Sequence, residues 1–146
     1  MASAAYTPFL SRLQTVMSGG ADLSHVDFEP SHSVLQQALS APVTEIATFY
    51  FDSQPNTDWL SNAGKAAEWL RKEAKGFVDI AYGITHEVVE YQGVKGKAAV
   101  IAVGWQSKEA HMAFRDTESF KENIGLLRGD SKAIEMHHVA LMEAVR

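Results

Sequence analysis

The sequence predicts an α+β fold: a βαββαβ unit over residues 43–146, behind an N-terminal helix–strand extension over residues 1–42. Three observations carry this. The apolar run AAVIAVGW (98–105) ends at Trp105 and gives way within a few residues to helical spacing. Ala110, Phe114, Thr117, Phe120, Ile124 and Leu127 then fall at steps of three or four and draw one stripe on a helix. The same succession occurs upstream, where VTEIATFYFD (43–52) is followed by a second helical pattern. Two further strand-like runs complete the order.

Tyr6, Phe9, Leu10 and Leu13 give residues 5–17 a helical pattern, with Pro8 tolerated in the first turn and Ser18-Gly19-Gly20 as the stop. Leu23 to Phe28 alternates apolar and polar residues, as a half-buried strand does. Residues 31–39 read as a short helix or irregular cover before Ala41-Pro42. The run 43–52 is rich in β-branched and aromatic residues and reads as a strand. Thr57 or Asp58 caps a helix to about Ala74, with Gly76 beyond its end. FVDIAYGITHEVVEY (77–91) reads as one long strand, and 97–106 as the next after a Gly93–Gly96 loop. One helix is expected from Ser107 to Leu127, and a last strand over 133–143. The spacing of Tyr6, Leu10 and Leu13 repeats in Phe120, Ile124 and Leu127, and His25-Val26 repeats in His138-Val139. Residues 1–28 therefore resemble the closing helix and strand of an earlier copy of the unit.

Composition narrows the function. The chain has 146 residues, the size of one domain, and 46% apolar content is enough for a core without staples. It has no cysteine, which excludes disulfides, thiolate metal sites and a thiol nucleophile. A net charge of −5 without a Lys/Arg stripe argues against nucleic acid. The longest apolar run is far below the roughly 20 residues of a membrane span, and MASAAYTPFL has no basic n-region. A cytoplasmic protein is expected, with no membrane partner.

The motif Trp105-Gln106-Ser107-Lys108-Glu109-Ala110-His111, at the start of the second helix of a βαββαβ chain, resembles the dimeric α+β barrel superfamily. The antibiotic-biosynthesis monooxygenases and the stress-responsive A/B barrel proteins are its two relevant branches. GVKGKAAV and IEMHHVALME are similar to segments of fungal proteins with two fused barrel halves. The resemblance implies a ferredoxin-like barrel half, a homodimer and a hydrophobic cavity between sheet and helices. A dimer also has a physical basis here, because one sheet face lacks helices and is rich in aromatics.

Strand parity puts Glu45, Ala47, Phe49 and Phe51 on one face and Thr44, Ile46, Thr48 and Tyr50 on the other, without deciding which meets the cavity. Similarity to polyketide cyclases of the stress-responsive branch implies that Glu45, Phe49 and Phe51 point inward, with Tyr82 and His86 beside them. The helix and strand positions that carry catalytic side chains in those cyclases are Phe114, Phe120, Glu45 and Ala99 here, so that catalytic set is absent. A carboxylate on an apolar face has a raised pKa and suits acid–base work. The expected catalytic pair is Glu45 and His86, with Phe49, Phe51, Tyr82, Phe114 and His137 around the ligand. His111, Arg115 and Glu118 lie opposite the apolar stripe and are expected to be solvated. No H-x-x-x-H, G-x-S-x-G or phosphate loop occurs, so no metal and no cofactor is expected. The leading expectation is a cofactor-independent cyclase- or isomerase-type enzyme acting on an aromatic or polyketide-like molecule. The alternatives are a non-enzymatic stress-related or protein-interaction module and a cofactor-independent monooxygenase.

Overall fold

The computed structural model describes residues 6–142. Helix α1 (Tyr6–Gln14) and helix α2 (His32–Leu39) precede the sheet. The sheet is built from β1 (Val43–Tyr50), β2 (Phe77–Ile84), β5 (Ala98–Trp105) and β6 (Ala133–Val139) in the spatial order β2-β5-β1-β6, all antiparallel. Helix α3 (Trp59–Glu73) joins β1 to β2, and a small hairpin of β3 (Val89–Tyr91) and β4 (Val94–Gly96) lies between β2 and β5. Helices α4 (Lys108–Arg115), α5 (Glu118–Asn123) and α6 (Gly125–Arg128) lead into β6. This is the predicted βαββαβ order with the two middle strands of the chain's sheet spliced by a hairpin.

The register decides which residues share a face. Glu45, Ala47 and Phe49 stand opposite Val103, Ile101 and Ala99 on one side and opposite His138, Met136 and Ile134 on the other. Opposed residues of antiparallel strands point the same way. This is the face covered by α3 and α4–α6, and its core runs through Ile101, Val103, Trp59, Leu70, Phe114 and Leu127. Each such large side chain contributes roughly 2–3 kcal/mol by leaving water. Trp59 also donates its indole N–H to the Leu127 carbonyl at 2.8 Å, tying α3 to α6.

Helix α2 covers part of the opposite face, against β2 and β5. Ser31 caps it, accepting a bond from the Val34 N–H. Buried Thr44 donates its hydroxyl to the Ala38 carbonyl at 2.8 Å. Gly104 makes the approach possible: a Cβ there would lie 2.8 Å from Ala41 Cβ and 2.9 Å from the Ala38 carbonyl oxygen. The rest of this face stays open between Ile46, Tyr50 and Val100 and the 22–28 segment.

Several boundaries differ from the sequence reading. The expected strand over 23–28 is reduced to isolated bridges, Val26 with Thr85 and Glu29 with Tyr82, along the edge of β2. The long strand 77–91 breaks after Ile84. Thr85 turns the chain there by accepting from the Ala98 N–H and donating to the Glu87 carbonyl. The helix 107–127 is three helices: Thr117 adopts extended backbone between α4 and α5 and caps α5 by accepting from the Phe120 N–H, and Ile124 separates α5 from α6. Asp58 precedes α3 without a side-chain cap bond. The last strand ends at Val139, and residue 143 of the expected stretch lies outside the described residues.

Candidate functional site

The site grows from the turn between β5 and α4. Ser107 caps α4 by accepting from the Ala110 N–H at 3.1 Å. That bond starts the helix within two residues of the strand end, so its first turn folds back over Trp105. His111 then stacks on the Trp105 indole, with ring centroids 4.8 Å apart and planes 16° from parallel. Its side chain is only 3% exposed.

Glu45 faces this pair from β1. Its Oε2 accepts from Trp105 Nε1 at 3.2 Å and lies 3.3 Å from His111 Nε2. The other His111 nitrogen, Nδ1, is 2.7 Å from Nε2 of His138 on β6. The β1–β6 register, which sets Glu45 against His138, places both on the face that α4 covers with His111. The result is a continuous path from a carboxyl 13% exposed, through a buried imidazole, to a half-buried one.

Electrostatics sets the protonation states. Burial pushes the Glu45 carboxyl up to about 7, against the smaller opposing effects of the Trp105 hydrogen bond and the Arg115 charge. Burial, reinforced by His138 and Arg115, pulls His111 down to about 4. His138 is also lowered, by burial and then by Lys108 and Arg115. Near neutral pH both imidazoles are therefore uncharged while Glu45 exchanges its proton. With Glu45 ionised, Trp105 and His111 Nε2–H donate to it, and His138 Nε2–H donates to His111 Nδ1. With Glu45 protonated, Oε2–H donates to His111 Nε2 and the second bond reverses. Each state pairs both His111 nitrogens.

A cavity of about 90 Å³ opens beside Glu45, between the sheet and helices α3–α6. Phe49, Phe114, Phe120 and Met136 give it apolar walls, and Arg115 and Arg128 stand among its lining. Trp69, Phe114 and Phe120 pack on one another with centroids 5.2 to 6.4 Å apart.

The expected site residues divide. Glu45, Phe49 and Phe114 meet at this cavity. Phe51 and Tyr82 belong to the buried core outside it, Tyr82 with its ring edge-on to Trp59 at 6.4 Å. The expected pairing of Glu45 with His86 does not form. Strand β2 ends at Ile84, so parity fails two residues later, and exposed His86 instead pairs with Asp27 at 2.8 Å. His137 is exposed on the opposite face, 3.6 Å from Glu135. His111, expected to be solvated, is buried, because Trp105 and His138 cover the side that a lone helix would show to water. Among the described residues no cluster of three or more His, Cys, Asp or Glu side chains is arranged to hold a metal ion. No described helix is long and apolar enough to cross a membrane.

No protein-family model matches the chain, and no curated protein does. Solved structures do. The Arabidopsis thaliana protein At3g17210 superposes over 72% of this chain and 100% of its own, with a TM-score of 0.54 at 12% identity. A candidate antibiotic biosynthesis monooxygenase from Bordetella bronchiseptica superposes over 69% of this chain and 97% of its own, with a TM-score of 0.51 at 21% identity. At such identities the likeness is one of architecture: the chain carries the ferredoxin-like α+β fold of these two proteins.

Proposed function

We propose that the protein binds a small apolar molecule beside Glu45 and performs cofactor-independent acid–base chemistry on it. One observation carries this reading: a buried carboxyl that exchanges its proton near neutral pH faces an apolar cavity, with a hydrogen-bonded path leading away from it. The Glu45 carboxylate would take a proton from an acidic C–H or O–H of the bound molecule. As Oε2–H passes its proton to His111 Nε2, the proton on His111 Nδ1 moves to His138 Nε2. His138, half-buried, releases its own proton to water. Neither imidazole is left charged, and the negative charge left on the deprotonated molecule would be balanced by Arg115 and Arg128 in the cavity lining.

The carboxyl can be tested without a substrate. Carbon-13 NMR titration, with Glu45→Gln to assign the resonance, is expected to give a midpoint near 7. A midpoint in the ordinary carboxylate range would sink the reading.

The cavity size favours a second reading. About 90 Å³ is well below the roughly 300 Å³ at which ordinary ligand pockets begin. That supports a packed, non-enzymatic module in which Phe114 and Phe120 fill the space a substrate would take. A polyketide-sized molecule has no room unless those side chains move. The monooxygenase reading adds dioxygen to the same base chemistry. Fold likeness by itself argues no reaction, and oxygen consumption with a quinol would distinguish it. The homodimer belongs to the same proposal. The open half of the other sheet face leaves a groove of about 1230 Å³ lined by Leu23, Ile46, Tyr50, Val88, Tyr91 and Val100, which a second copy would cover.

A further inference from the structure

The rim of the Glu45 cavity carries charges that the proton path does not use. Arg115 ends α4 and Arg128 ends α6, and both line the cavity as well as the groove just outside it. The chain has a net charge of −5, so two arginines at one opening run against its overall balance. Among the described residues neither has a carboxylate within ion-pair distance. Asp116 lines the groove without closing on them, and Lys121 is already held by Glu118 at 2.7 Å. Behind the arginines the walls are apolar: Phe114, Phe120, Ile134 and Met136.

We infer that the cavity takes a small monocarboxylate, with an unbranched apolar chain between Phe114, Phe120, Ile134 and Met136 and its carboxylate at Arg115 and Arg128. The inference rests on the reading of this cavity as the functional site. About 90 Å³ is less than the roughly 150 Å³ cavity that holds a benzene ring, so the space admits a chain of only about three carbons, with the carboxylate at the rim. The guanidinium fork matches a carboxylate in shape and charge. Arg115 is half-buried and its charge already reaches both Glu45 and His111. A ligand carboxylate would offset that charge and hold the Glu45 proton more firmly, so binding should take up protons at slightly alkaline pH.

Isothermal titration calorimetry at pH 7.5 and low salt, with butanoate and its neutral isostere butanamide, tests this. Butanoate is expected to bind roughly tenfold tighter than butanamide, the ratio one charge-assisted contact supplies. Arg115→Gln and Arg128→Gln should each shrink that ratio toward unity. Both substitutions lie at the rim, and the amide comparison in the native chain holds even if a variant folds poorly. Repeating the titration in buffers of different ionisation enthalpy reads proton uptake, which Glu45→Gln should abolish. Equal binding of the two probes would overturn the inference and leave the arginines as complements to helix C-termini. Failure of both to bind would also overturn it, while the NMR midpoint of Glu45 decides the acid–base reading independently. A preference for butanoate without proton uptake would support the ligand class and count against Glu45 as the titrating group.

Discussion

Replacing Glu45 by Gln should make the protein more stable at alkaline pH. In the native chain the Glu45 carboxyl titrates near 7, against 4.5 for an unperturbed glutamate. The folded state therefore holds this proton more tightly than the unfolded chain does. The stability it confers is fully present below pH 4.5 and is lost as pH rises through 7. A difference of about 2.5 pKa units corresponds to roughly 3 kcal/mol. Gln does not ionise. Its carbonyl can accept from Trp105 and its amide can donate to His111 Nε2, with His111 Nδ1–H then donating to His138. The advantage of the variant over the native protein should thus grow by about 3 kcal/mol between pH 4.5 and pH 8. At pH 8 that is roughly 10 °C in Tm for a chain of this length. His111 acts in the opposite sense. Its folded pKa is depressed to about 4 from 6.5, so its contribution is present above 6.5 and lost as pH falls through 4. In the native chain the two slopes oppose each other between pH 4.5 and 6.5, giving a flat profile. In Glu45→Gln the His111 slope stands alone, and the variant should weaken toward acid by about 2–3 kcal/mol. Urea unfolding followed by circular dichroism across pH 4 to 8.5 reads both effects. A constant offset between the two proteins at every pH would refute the reasoning, since it would mean that Glu45 is ordinarily ionised.

Other expectations follow from single contacts. Trp59→Phe removes the 2.8 Å bond to the Leu127 carbonyl and leaves space in the core. It should cost about 2–4 kcal/mol in urea unfolding, and a loss below about 0.5 kcal/mol would mean that the bond carries nothing. Gly83→Ala places a Cβ 2.4 Å from the Asp27 carbonyl oxygen and 2.6 Å from a Val26 methyl. It should lift the 22–29 segment from β2, seen as faster amide exchange at Glu29, Tyr82 and His86, whose N–H groups bond across that contact. Unchanged protection would place the segment elsewhere. Native mass spectrometry should report a dimer, as covering the open sheet face requires; a monomer at micromolar concentration would remove the homodimer from the proposal.

What was legible in the sequence was local. Alternation along 43–52 and the run 98–105 marked strands, and period-3.6 spacing marked α3 and the start of α4, because side-chain direction repeats with the backbone. Parity likewise put Glu45, Ala47 and Phe49 on one face. The proton path was not legible, because each of its bonds joins different elements. Periodicity set His111 opposite the apolar stripe of α4, whereas in the structure it shares the buried face of that helix with Phe114. What buries it is a ring from the preceding strand and an imidazole from β6, and no local pattern records where those strands will pack. His86 failed for the converse reason: parity holds only while a strand continues, and Thr85 ends it with two hydrogen bonds that only the fold supplies. By itself, then, the sequence determined the order of elements, the two faces of each strand and the presence of a carboxyl on an apolar one. Tertiary structure decided which face met the helices and which histidine met that carboxyl, since burial and partnership depend on contacts between residues distant in sequence.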